Sequence, residues 1–188
     1  MSESASAGFK LHTGWATLVA VAADGPLRVL YRCRVELLPP GAIRFVYHQA
    51  AELPIADAER LIESVRRISE DTARPNVRSA LEKWKVRRAC IVTAPAALPD
   101  DLSITLRSHA RIHAAEGALY AKVVADACVH LGIPVLTVRE REVWSRASES
   151  AGVVEADLKA SIDDVRKALG APWTADHKTA TAAALVRG

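Results

Sequence analysis

The stretch from Leu27 to Leu37 alternates strictly. Leu27, Val29, Tyr31, Cys33, Val35 and Leu37 fall on one side, and Arg28, Leu30, Arg32, Arg34 and Glu36 on the other. A period of two predicts a half-buried antiparallel strand. Ahead of it, Leu11 to Ala22 is nearly continuous in apolar residues, as expected of a strand covered on both faces. Asp24-Gly25 marks a hairpin turn between the two. Pro39-Pro40-Gly41 turns the chain again, and Ile43, Phe45 and Tyr47 then alternate with Arg44, Val46 and His48. That predicts a third strand. Three antiparallel strands with an apolar face need a second layer to cover it.

The period then changes. Ala58, Leu61, Ile62, Val65 and Ile68 follow helical spacing. Arg74-Pro75 predicts a break, and Asn76 a cap for a second helix carrying Val77, Ala80, Leu81 and Trp84. Ala89 to Thr93 reads as a short buried strand. A long helix is expected from Ser103 or Leu106 to Leu131, stopped by Gly132. Pro134 to Val138 reads as another short strand, and a charged connection from Arg139 to Arg146 follows. Leu158, Ile162, Val165 and Leu169 form a helical stripe ended by Gly170, and Thr174 caps a final helix reaching Val186. The element order β-β-β-α-β-α-β-α predicts an α/β fold. Its mixed five-stranded sheet has three antiparallel strands, then two crossover strands, with helices on both faces. Residues 1–8 read as a flexible N-terminal tail and residues 9–188 as a single domain.

Half of the 188 residues are hydrophobic and a quarter are charged, which excludes bulk disorder. The longest apolar run, Trp15 to Ala23, is about nine residues, far short of the ~20 of a membrane-spanning helix. A net charge of +3 fits an acidic partner, although no run of Lys and Arg marks a nucleic-acid arm. Cys33, Cys90 and Cys128 are odd in number and form no CxxC, so they read as buried small side chains in a reducing compartment. The N-terminus has neither a basic start nor an apolar segment, so a cytoplasmic location is expected.

The long helix carries the most informative pattern. His109, His113, Glu116 and Tyr120 are spaced i, i+4, i+7 and i+11, within roughly 60° of the helix circumference. The same stripe continues as Val123, Val124, Ala127 and Leu131. The sheet-facing side is therefore expected to be polar in its first half, at the carboxyl end of the sheet, where open α/β sheets place ligands. Two His and a Glu at that spacing could hold a divalent metal, or a His could act as base with Glu116 orienting it. A buried hydrogen-bond network fixing the helix to the sheet is the alternative reading, and a plain solvent face the third. Asp176, His177 and Lys178 cluster in the first turn of the last helix after Pro172-Trp173. Asp176 reads as a metal ligand or a partner of the helix dipole, Lys178 as a phosphate contact, and Trp173 as a packing plug. Arg28, Arg32 and Arg34 form a candidate phosphate-binding face or an ordinary solvent face. His48 could enter the crevice from the third strand. The connection from Arg139 to Arg146, with Trp144, is a candidate partner contact.

The element order is similar to that of the ribonuclease-H-like fold, which includes the RuvC-type Holliday-junction resolvases. The motifs Ser108-His109, His113-Ala114-Ala115-Glu116-Gly117, Gly132-Ile133-Pro134-Val135, Pro172-Trp173, Asp176 and Lys178 resemble a bacterial family near those resolvases. The resemblance implies a metal-dependent nuclease or nucleic-acid-processing protein using Mg2+ or Mn2+ on DNA or RNA. Glu116, Asp176 and His113 would then be metal ligands, and His109 and His113 ligand or base. Arg32, Arg34 and Lys178 would hold phosphates. Active members carry an Asp on the first strand and an acid at the end of the fourth. Here Phe9 to Ala22 holds neither Asp nor Glu, and the fourth strand ends in Thr93-Ala94-Pro95. His12 stands roughly where the first acid would be sought. The acidic site is therefore incomplete, and a non-catalytic binding module derived from this fold is the alternative. A homodimer through the first helix or an edge strand is a further expectation.

Overall fold

A computed structural model describes residues 3–93 and 98–188. Five strands form one sheet: β1 (Ser4–His12), β2 (Trp15–Ala22), β3 (Val29–Glu36), β4 (Lys85–Thr93) and β5 (Val135–Arg139), in the order β3-β2-β1-β4-β5. β2 pairs antiparallel with β1 and β3, and β4 pairs parallel with β1 and β5. The helices are α1 (Val46–Ala50), α2 (Ile55–Leu81), α3 (Leu102–Leu106), α4 (His109–His130), α5 (Val143–Ala151), α6 (Glu155–Leu169) and α7 (Ala175–Leu185). This is the mixed five-stranded α/β architecture expected from the element order.

The central strands are apolar on both sides because both sides are covered. Phe9, Leu18, Val35 and Ile91 pack with Val65 and Val77 of α2 and with Leu119 and Val123 of α4. On the opposite face, Val19, Val21, Cys90 and Val138 pack with Val143 of α5, Ile162 of α6 and Ala180 to Ala184 of α7. The small residues of α7 let it lie directly on β1. A Cβ built on Gly8 would sit 1.9 Å from the Ala180 carbonyl oxygen.

Several local expectations change. Leu11 to Ala22 is not one strand, because the chain reverses at Thr13-Gly14, where Gly14 takes φ +83°. β1 therefore starts at Ser4, within the stretch read as a tail, and is paired on both sides. Ile43 to His48 is not a strand. Its second half enters α1, which packs against α2 and α4, so the third antiparallel strand is β3. α2 runs unbroken through Pro75. That proline lies on the exposed side, where water can serve the carbonyl left without its N–H. Asn76 is no cap but donates from Nδ2 to the Glu36 carbonyl at 2.9 Å. The long helix divides at Arg107-Ser108 into α3 and α4. In β3 the register slips between Ala20 and Val21 of its partner. The bulge moves Val29 to the α7 side while Val35 stays on the α2–α4 side.

Among the described residues, no helix is long and apolar enough to cross a membrane.

Candidate functional site

Two clusters form at the end of the sheet where β1 and β4 finish, one on each face. The first is built on α4. Glu116 and Tyr120 face inward and are only 2% and 1% exposed, whereas His109 and His113 are exposed. The stripe is thus split between a buried acid and two outward imidazoles. α1 supplies what the sequence pattern lacked. His48 Nδ1 lies 2.9 Å from Glu116 Oε1. Its ring stands edge-on to His113 and His109, with centroids 4.6 and 5.3 Å away, and those two rings are 4.4 Å apart. One ring nitrogen from each of His48, His109 and His113 lies within 4.8 Å of the others. Glu116 Oε2 is buried without a hydrogen-bond partner. Tyr120 donates its hydroxyl to the Arg44 carbonyl at 2.7 Å. Burial, and next the charge of Glu116, push the phenols of Tyr120 and Tyr47 upward, so both stay neutral donors.

The second cluster lies on the α7 face. Thr174 caps α7 in a reciprocal arrangement with His177, whose Nδ1 accepts the Thr174 N–H at 3.1 Å. The cap aims the first turn at β1, and Asp176 Oδ2 lies 2.9 Å from His12 Nε2. His12 and Trp15 are cross-strand partners. Their rings stack 3.9 Å apart at 8°, and the Arg34 guanidinium sits 4.0 Å from the Trp15 ring centroid. Lys10, two residues before His12 on the same side of β1, bridges to Glu140 at 2.7 Å.

The structure therefore pairs Asp176 with His12 and Glu116 with His48, and does not bring the two acids together. They sit on helices that cover opposite faces of the sheet. Arg32 donates to the Leu169 and Gly170 carbonyls at 3.3 Å, closing the end of α6. Lys178 bridges to Asp163 at 2.8 Å, and Arg28 pairs with Glu3. Trp173 is buried and donates from Nε1 to the Ile162 carbonyl, as the packing-plug reading expected. Trp144 is half-buried, 5.3 Å from Lys159 Nζ. The Ala94-Pro95 end of the fourth strand lies outside the described residues. Burial pushes the thiols of Cys90 and Cys128 up to about 11 and about 12, so neither is a nucleophile at neutral pH. A cavity of about 320 Å³ opens at the other end of the sheet, between Ser6, Arg88, Ser161 and Ala184, away from both clusters.

The His177 cap titrates. Burial, reinforced by Arg32 and opposed by Asp176, holds its imidazole below the ordinary range. Protonation would remove the lone pair that accepts the Thr174 N–H. The unfolded chain therefore takes up this proton first, and the cap's contribution, complete above about pH 6.5, declines as the pH falls below it. Thermal melts at pH 7.5 and 5.5 should show a larger acid loss for wild type than for His177→Gln, because Gln keeps the capping acceptor without titrating. An equal loss in both proteins would contradict this.

No family model and no curated protein matches the chain. Solved structures do. RuvC of Thermus thermophilus in complex with a Holliday junction substrate superposes with a TM-score of 0.52 at 14% identity, over 98% of this chain and 91% of that one. The fold is ribonuclease-H-like. A second Thermus thermophilus RuvC structure matches at 14% identity over 95% of this chain and 90% of that one, with a TM-score of 0.48.

The Mg2+ or Mn2+ implied by a ribonuclease-H-like resemblance needs oxygen-rich coordination. At the end of β1 the carboxylates are Asp176, already bonded to an imidazole, and Glu140, already paired with Lys10. On α4 the donors are three imidazoles and a carboxylate facing one of them. Among the described residues, neither set suits such an ion.

Proposed function

We propose that the protein is a nucleic-acid-binding module of ribonuclease-H-like fold that holds its ligand without hydrolysing it. The observation that carries this reading is the His12–Trp15–Arg34 stack. It gathers two aromatic rings and a cation at the carboxyl end of β1 and the start of β2. Trp15 and His12 are partly exposed, and Arg34 on edge strand β3 is exposed. His12 covers one face of Trp15 and Arg34 the other, so the outer plane of the exposed guanidinium, which also pairs with Glu36, offers a base a stacking surface and its phosphate a counter-charge. Asp176 fixes the His12 ring by its hydrogen bond and so keeps the platform flat. The likeness to a RuvC that carries a Holliday junction supports the ligand class.

The test is fluorescence anisotropy with labelled single-stranded, duplex and four-way-junction DNA and with RNA, at two salt concentrations. Wild type should bind at least one of them, more weakly as salt rises. Trp15→Ala removes the ring that holds Arg34 and His12 in place and should weaken binding about 10-fold, the scale of one lost stack. Arg34→Ala should weaken it and flatten the salt dependence. No binding at low salt, or variants that bind like wild type, would overturn the proposal.

A further inference from the structure

The proposed nucleic-acid platform leaves the α4 cluster unused, and nitrogen-donor chemistry explains its arrangement. His109 and His113 occupy successive turns of one helix face, and His48 reaches the same point from α1. One ring nitrogen of each lies within 4.8 Å of the others. Small side-chain rotations would bring those nitrogens to the ~2.0–2.1 Å bond lengths of a zinc–imidazole site. Glu116 is the second observation. It is 2% exposed, its Oε1 sits on His48 Nδ1 at 2.9 Å, and its Oε2 has no partner. A carboxylate buried this deeply is costly without a compensating positive charge. Its bond to Nδ1 fixes the tautomer of His48 and leaves Nε2 as the free ring nitrogen, the arrangement of a carboxylate behind a metal-bound histidine.

We propose that His48, His109 and His113 bind one transition-metal dication of the zinc class, with Glu116 as the positioning residue behind His48. Imidazole selects Zn2+, Co2+, Ni2+ or Cu2+ over Mg2+ and Ca2+. His109 and His113 are exposed, so a fourth position stays open to water or to an anionic ligand atom, as in three-ligand zinc sites. The site lies on the sheet face opposite the His12 platform and does not depend on the nucleic-acid reading.

Tag-free full-length protein, stripped with a chelator, is titrated with Co2+, following its visible d–d absorption, and then back-titrated with Zn2+. The expected result is saturation at one Co2+ per chain, bleaching by one equivalent of Zn2+, and no displacement by excess Mg2+. His109→Asn and His113→Asn alter exposed side chains and should keep the fold, checked by circular dichroism, while losing the cobalt spectrum. Glu116→Gln should retain the spectrum but weaken affinity about 10–100-fold. No saturable uptake, or uptake unchanged in the two histidine variants, would overturn the site. Glu116→Gln binding as tightly as wild type would overturn the positioning role.

Discussion

Replacing Gly8 with alanine should cost about 3 kcal/mol or more of folding stability, a shift read directly from the urea midpoint. The reason is geometric. Gly8 lies in the central strand beneath α7, and an added Cβ would sit 1.9 Å from the Ala180 carbonyl oxygen and 2.6 Å from the Ala184 nitrogen. Both are backbone atoms of a helix that also packs against α5, so no side chain can swing away to make room. The helix itself must lift. Asp176 begins that helix, so the same substitution should loosen its hydrogen bond to His12 and weaken nucleic-acid binding along with stability. Gly117→Ala is the control. It lies within α4 with nothing within 4 Å of the added methyl, and should stabilise by up to ~1 kcal/mol through helix propensity. A Gly8→Ala protein as stable as wild type would mean that α7 does not rest on β1 as described.

Trp173→Ala should be of similar size, at about 3–5 kcal/mol. The indole is 8% exposed, and it fills the space between α6 and the start of α7. It donates to the Ile162 carbonyl at 2.9 Å, and its ring lies 5.6 Å from both the Arg32 guanidinium and the His177 ring. Truncation leaves a cavity, removes the hydrogen bond that ties this segment to α6 and frees the segment that delivers the Thr174 cap. Trp173→Phe separates these effects. It restores most of the volume but not the donor, and the Ile162 carbonyl keeps its place in the α6 ladder, so the loss should fall to about 0.5–1.5 kcal/mol, the net worth of one hydrogen bond. Equal losses for the two variants would show that the hydrogen bond alone matters there. Thermal or urea unfolding measures both.

What could be read in the residues followed the strength of local periodicity. The α6 stripe with its Gly170 stop and the Thr174 cap of α7 emerged where expected, because capping chemistry is local. The β1–β2 hairpin did not. Both strands are buried on both faces, so neither shows alternation, and the turn rests on Thr13-Gly14 alone. Ile43 to His48 alternates too briefly to separate strand from helix, and its packing against α2 and α4 decided for α1. At the site, the i, i+4, i+7 spacing of His109, His113 and Glu116 was legible. Which of them turns inward was not, because the apolar stripe places Glu116 inward and leaves the imidazoles at its margin. His48 reads as able to enter the crevice and His12 as standing near the place of a first-strand acid, but neither has a local pattern that names its partner. Their partners, Glu116 and Asp176, lie 68 and 164 positions away in sequence, a separation that no local pattern encodes.

The most direct test incubates wild-type protein and Asp176→Asn with single-stranded, duplex and four-way-junction DNA and with an RNA–DNA hybrid. Each reaction runs with Mg2+, with Mn2+ or with chelator, and each is analysed for complex on a native gel and for products on a denaturing gel. The expected result is a salt-sensitive complex of similar affinity with and without Mg2+, and intact strands throughout. Magnesium-dependent cleavage by wild type that disappears in Asp176→Asn would contradict it, and would establish a hydrolytic centre at the end of β1 instead.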